Sequence, residues 1–125
     1  MWWRTISTRR RCIINSINYG EGKYKIYLKS IQIGNDLLVI ITGGDEHIGG
    51  VSLSEANLLS SIKKTNHKDY VVSKMLAPII YKKLNKDTLV VCGIHLDNAT
   101  KTDIDILLKN ARICVNNFIK SEYDQ

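Results

Sequence analysis

The order in which short apolar runs of two different periods follow one another constrains the fold most. Residues 23–54 contain three short runs with the alternation or β-branched character of strands. A helical apolar repeat follows at 72–84, then a β-branched run at 88–94 and a second helical repeat at 104–118. The order β-β-β-α-β-α predicts an α+β fold. We expect a mainly antiparallel sheet of about four to five strands with two helices packed on it.

The predicted strands differ in how much of their surface they should bury. The run at 88–94 is apolar almost without interruption, as is typical of a strand buried on both faces, so we place it centrally. Residues 36–42 are also more continuously apolar than an alternating strand. Residues 23–33 alternate instead, which predicts a half-exposed edge strand that could pair with another protein.

Both predicted helices carry local signals. Pro78 should kink or shift the first helix, because proline lacks the backbone N–H that an interior position needs. Thr100 to Asp103 resembles a capping arrangement at the start of the second helix. That helix is predicted to bury a stripe of six residues: Ile104, Leu107, Leu108, Ala111, Val115 and Phe118.

Charge and composition limit the class of protein. Four arginines before residue 12 account for most of the formal net charge of +6, so we interpret residues 1–20 as a basic leader and expect no nucleic-acid partner. Residues 21–121 form one predicted domain. No apolar run is long enough to span a membrane and no secretory signal is recognisable, so we expect a cytoplasmic protein. The three cysteines are predicted to be free thiols, two of them buried.

Three polar segments contain the three histidines. Thr42 to Gly50 reads TGGDEHIGG and carries Gly43, Gly44, His47 and Gly49, whose glycines could bring backbone amides close to an anion. His67 and Lys68 precede the first helix, and His95 follows the central strand. We predict that the three histidines line one anion-binding pocket.

Metal binding is the alternative chemistry for these side chains. His47, His67 and His95, together with Asp97, have the ligand types of a zinc site, although no two of them are spaced as a local ligand pair. No serine lies in a nucleophile motif, and Cys92 lies within an apolar run where its thiol should be unreactive. We therefore predict no catalytic residue and prefer anion binding without a metal.

The segments TGGDEHIGG, His67-Lys68-Asp69 and GIHLDNAT at 93–100 together resemble the LpdD-like prenylated flavin chaperone family over about residues 22–119. The resemblance implies a non-catalytic accessory protein of prenylated-flavin-dependent aromatic acid decarboxylases, with a domain similar to proteasome assembly chaperones. It implies prenylated FMN, or FMN, as the ligand, and a decarboxylase and a flavin prenyltransferase as partners. The cofactor-binding residues that we carry over are Gly43, Gly44, His47, Gly49, His67, Lys68 and His95.

Three functions therefore remain open at this stage. The chain could be a flavin-binding chaperone, a small metal-dependent enzyme using His47, His67 and His95, or an assembly factor that binds only protein. The sequence also leaves homodimerisation open, with no membrane partner expected.

Overall fold

A computed structural model describes residues 14–65 and 67–123, and all structural statements concern these residues. A short 3-10 helix, Gly22–Tyr24, follows the first strand. The other elements are β1 (Ile14–Tyr19), β2 (Ile26–Ile33), β3 (Asp36–Gly44), β4 (Gly50–Glu55), β5 (Leu58–Lys63), α1 (Asp69–Leu84), β6 (Thr88–His95) and α2 (Lys101–Tyr123).

The strands form one six-stranded sheet in the order β1-β2-β3-β6-β4-β5. Every neighbouring pair is antiparallel except β3 and β6, which run parallel with Leu37 beside Thr88. The α+β prediction is confirmed, with more strands than expected. The central position predicted for residues 88–94 is also confirmed, because β6 lies between β3 and β4.

Two strands were not predicted. β1 lies within the residues interpreted as a leader, where Ile14 and Ile17 pair with β2. β5 comes from a polar stretch, and all six of its residues are exposed. The edge position predicted for residues 23–33 is wrong, because β2 pairs with β1 on one side and β3 on the other. Alternation reports which face of a strand is buried, and it does not report whether the backbone edges are paired.

Both helices cover the same face of the sheet, and the core lies between them and that face. β2 and β3 contribute alternate residues such as Leu28 and Val39, and α2 contributes Val115 and Phe118, all at most 1% exposed. The two described cysteines, Cys92 and Cys114, are buried free thiols, as predicted, whereas Cys12 lies outside the described residues. Among the described residues, neither helix is long and apolar enough to cross a membrane.

The start of α2 confirms the predicted capping arrangement. The backbone N–H of Thr100 donates to Oδ2 of Asp103 at 2.9 Å, and the N–H of Asp103 donates to Oγ1 of Thr100 at 3.1 Å. The Tyr24 hydroxyl also donates to Asp103 at 2.6 Å. This bond, followed by that from Thr100, lowers the pKa of Asp103 to about 2.

Pro78 lies inside α1, which continues through it as one α-helix. On α2 the predicted stripe is only partly buried: Leu107, Ala111, Val115 and Phe118 belong to the core, whereas Leu108 is half-buried and Ile104 is 48% exposed. Leu108 packs against the margin of the core, and both side chains line a cavity beside the end of β6.

Candidate functional site

The fold brings the three histidines together at one end of the sheet. His47 follows β3, His67 precedes α1 and His95 is the last residue of β6. The ring centroid of His47 lies 4.9 Å from that of His67 and 6.3 Å from that of His95. The parallel pairing of β3 and β6 explains two of these positions, because both strands end at the same edge, with Gly44 beside His95.

The imidazole of His47 is held at both nitrogens. Nδ1 lies 2.9 Å from the carbonyl oxygen of Asp45, and Nε2 lies 2.9 Å from Oδ2 of Asp69. Both partners are acceptors, so both contacts are hydrogen bonds only when each ring nitrogen carries a hydrogen. The side chain is 20% exposed and lies beside the start of α1.

Asp69 connects the three segments of the site. Its Oδ2 contacts His47, and its Oδ1 accepts a bond from the backbone N–H of Ile94 at 3.3 Å. The same side chain lies against Gly49 and is only 12% exposed. Asp69 is the first residue of α1, but its contacts reach out to the loop and to β6. Asp69 was not among the predicted site residues, and its connecting role was not predicted.

The glycines of this region allow the segments to approach each other. A Cβ at Gly49 would lie 1.7 Å from Oδ2 of Asp69, and one at Gly93 would lie 1.5 Å from the carbonyl oxygen of His47. At Gly44, where φ is +63°, a Cβ would lie 2.0 Å from the carbonyl oxygen of His95. At these positions the absence of a side chain leaves room for neighbouring atoms of the same chain.

Two backbone amides of the loop between β3 and β4 are already engaged. The N–H of Asp45 donates to the carbonyl oxygen of His95 at 3.0 Å, and that of Gly49 donates to Cys92 at 2.9 Å. The loop is thus tied to β6, and these two amides are not available to an anion. Cation side chains and the start of α1 remain as the groups that can attract negative charge.

A cavity of about 240 Å³ opens beside Asp69, between the starts of the two helices and the end of β6. Its walls are mostly apolar, and three polar side chains, Lys68, Asp69 and His95, lie among them. α1 begins at this cavity without a capping side chain, since Lys68 at its N-cap makes no such bond. The apolar wall consists of Val72, Ile94, Leu96, Ala99, Ile104, Leu107 and Leu108.

The predicted site residues occupy different parts of this region. Lys68 and His95 line the cavity directly. His47 is connected to it through Asp69, and His67 lies beside His47 with its Nδ1 2.7 Å from the carbonyl oxygen of Thr65. Gly43, Gly44 and Gly49 lie behind these side chains and shape the loop. The wall residues were missed, although Ile104 and Leu108, one helical turn apart near the start of α2, were a usable signal.

The side chains whose ligand atoms lie close enough to hold a metal ion differ from those predicted. Side-chain ligand atoms of Asp45, His95 and Asp97 lie within 4.8 Å of one another, and all three residues are exposed. Nε2 of His95 is 2.9 Å from Oδ1 of Asp97, which explains their proximity without an ion. Both ring nitrogens of His47 already contact oxygen atoms of Asp45 and Asp69, so the three imidazoles are not all available to bind one metal ion.

The two described thiols, Cys92 and Cys114, contribute no reactive group to the site. Burial raises the pKa of the Cys92 thiol far above its usual range, and the negative charge of Asp69 raises it further. Burial also raises the pKa of Cys114, to about 11. A thiolate is the reactive form of cysteine, so both side chains are unreactive near neutral pH, as the sequence predicted for Cys92.

A solved structure has a similar fold. The structure is similar to a chain in the crystal structure of a chaperone complex for yeast 20S proteasome assembly, with a TM-score of 0.60 and 13% sequence identity. The similarity covers 87% of this chain and 97% of that chain.

The family follows from sequence comparison. Residues 20–122 match the model of the prenylated flavin chaperone LpdD-like domain, and the chain belongs to this family. It is also 34% identical to Protein LpdD of Lactiplantibacillus plantarum, over 58% of this chain and 58% of that protein's length. The chain is therefore a chaperone-family protein, as the sequence motifs indicated.

Proposed function

We propose that this protein is a non-catalytic, cytoplasmic accessory protein that binds prenylated FMN and delivers it to, or helps mature, a prenylated-flavin-dependent aromatic acid decarboxylase. The observation that carries the proposal is the cavity between the two helix starts, which combines an apolar wall with Lys68 and His95. A flavin with an added prenyl group and a phosphate needs both kinds of surface. The family description names the same cofactor class.

The residues present fit part of such a ligand. The cavity of about 240 Å³ is smaller than the roughly 300–1,000 Å³ of sites that enclose a whole small molecule. The apolar wall would therefore hold one end of the ring system, while the rest lies over the exposed side of His95. Lys68, the uncapped start of α1 and the neighbouring His47 and His67 would attract the phosphate.

The bound cofactor supplies the decarboxylation chemistry in the client enzyme, and the proposed work of this chain is to hold and position it. Lys68 attracts the anion, and the apolar wall excludes water from the ring. Asp69 orients His47 and joins the loop to β6. A flavin prenyltransferase is the proposed source of the ligand and the decarboxylase its recipient.

The test is native mass spectrometry, under anaerobic conditions, of the full chain co-expressed with a flavin prenyltransferase. A bound mass matching prenylated FMN supports the proposal. Lys68→Glu combined with His95→Ala should remove it, and so should His47→Ala combined with His67→Ala. Lys74→Glu is the control, because Lys74 is an exposed residue of α1. Retention of the ligand by the Lys68 and His95 double variant would reject the cavity as the binding site.

A protein-only assembly function is the second candidate, because the fold is similar to a chain of a proteasome assembly chaperone complex. It predicts capture of the decarboxylase by a chain that carries no flavin and by all of the histidine variants. The metal-dependent alternative predicts a bound ion in the same mass spectra, and substitution of Asp45, His95 and Asp97 should remove that ion.

A further inference from the structure

The sheet has one face that no helix covers among the described residues; the loop after β3 reaches only its end, where Glu46 accepts a hydrogen bond from Thr42. The core residues of β2, β3 and β6 point toward the helices, so the alternate residues of each strand point the other way. The register aligns these alternate residues into two rows across all six strands. One row is Ile14, Ile31, Leu38, Leu89, Leu53 and Ser60, and the other is Ser16, Lys29, Ile40, Val91, Val51 and Ile62.

These two rows, which we call the open face, are mainly aliphatic. Residues at the centre, such as Ile40 and Val91, are half-buried by their neighbours in the sheet. Toward the margins the exposure rises to 56% at Ile14 and 71% at Ile62. Contiguous apolar surface of this kind is uncommon on a monomer and marks an interaction site.

The sequence of the central strands indicates burial on both faces. Residues 37–41 and 89–92 are uninterrupted apolar runs, whereas a strand with one face in water normally alternates. Within one chain, β6 is fully buried only on the helix side, where Val90 and Cys92 are 0% exposed. The uninterrupted apolar sequence of β6 therefore indicates that an apolar surface covers the open face.

We propose that the open face is covered by the open face of a second copy of this chain, in a two-fold dimer whose sheets pack against each other. A two-fold axis running along the strands between β3 and β6 places Leu38 over Leu89 and Ile40 over Val91 of the second copy. Each apolar row then meets itself in reverse order. Two twisted sheets that pack face to face in this way form an aligned sandwich with an apolar centre.

Size and charge favour a second copy. The six strands, with five gaps of about 4.8 Å between them and about six residues in each, give roughly 480 Å² per copy, or on the order of 1,000 Å² for a pair, near the lower limit for a stable interface. The charged residues on this side are Lys29, Glu46 from the loop after β3 and, at strand ends, Asp36 and Glu55. Both signs are present, so two copies meet without an accumulation of like charge. This inference does not depend on flavin binding.

The test is sedimentation velocity of the full chain between about 1 and 100 µM. We expect a species of twice the chain mass of 14.2 kDa. Val91→Glu places a charge at the centre of the open face and should weaken dimerisation at least tenfold, because each copy would bury an unpaired charge against Ile40 of the other. Val71→Glu is the matched control, since Val71 is 53% exposed on α1, away from the open face.

Two outcomes would overturn the proposal: a chain that sediments as a monomer over the whole range, and a Val91→Glu variant that dimerises as tightly as the unchanged protein. Ile62→Glu guards against a folding defect, because Ile62 is already 71% exposed. With circular dichroism unchanged, Ile62→Glu should still weaken the dimer severalfold. Dimerisation that Ile62→Glu leaves unchanged would also reject the open face as the interface. Dimerisation that Val71→Glu weakens as much as Val91→Glu does would reject it as well.

Discussion

Nε2 of His47 lies 2.9 Å from Oδ2 of Asp69, and this contact joins the loop after β3 to the first residue of α1. A second pair in the same region, His95 and Asp97, has the same 2.9 Å separation. The two pairs differ in environment: Asp69 is 12% exposed and Asp97 is 82% exposed. Burial decides what each contact contributes, because water competes for exposed groups.

Asp69→Ala should therefore lower the free energy of unfolding by about 1–3 kcal/mol, the cost of leaving a buried polar group without its partner. Two groups lose their acceptor, the His47 ring and the backbone N–H of Ile94. Asp97→Ala, the matched control, should change stability by less than about 0.5 kcal/mol. Urea unfolding of the three proteins measures the difference. Equal effects would show that the Asp69 contacts do not hold the site together.

Gly93→Ala should disrupt the site from the β6 side. The added Cβ would lie 1.5 Å from the carbonyl oxygen of His47, so the loop must move away. We expect a loss of at least about 3 kcal/mol, the upper range for overpacking. Gly22→Ala is the comparison, because it meets open space and adds only the strain of its positive φ, about 1 kcal/mol. A Gly93→Ala protein as stable as Gly22→Ala would contradict the packing described.

The capping carboxylate of Asp103 should make stability depend on acid pH. Its folded-state pKa of about 2 lies below its usual value of 3.8, so its contribution is present above about pH 4. That contribution is lost as the pH falls through about 2. Thermal unfolding between pH 4 and pH 2 should show a steeper loss for the unchanged protein than for Asp103→Asn. Asp105→Asn, an exposed position on the same helix, should keep the original slope.

Ile104→Ser should separate ligand binding from stability. Ile104 is 48% exposed yet lines the cavity, so its loss should leave the melting temperature nearly unchanged. If the cavity holds the flavin ring, the affinity for FMN in fluorescence titrations should fall by roughly 15- to 50-fold, since two to three buried CH₂ groups contribute about 0.8 kcal/mol each. Val71→Ser, at 53% exposure and away from the cavity, is the control. Equal affinity in both variants would remove Ile104 from the binding surface.

Much of the fold could be read from periodicity. The positions of β3, β6 and both helices follow from apolar patterns, and the cap at Thr100 follows from the spacing of two side chains. β1 and β5 could not be read in this way. They are edge strands among the described residues, exposed along most of their length, so their backbone pairing leaves little apolar pattern.

The sequence by itself determined which segments carry polar chemistry, because turn residues and histidines interrupt the apolar runs at three places. The tertiary structure decided how these segments meet. The parallel pairing of β3 and β6 brings their ends to one edge, and Asp69 ties both to α1. It also decided what the glycines do, since Gly49 and Gly93 admit neighbouring atoms of the same chain. Such contacts join residues far apart in sequence, and local propensity contains no information about them.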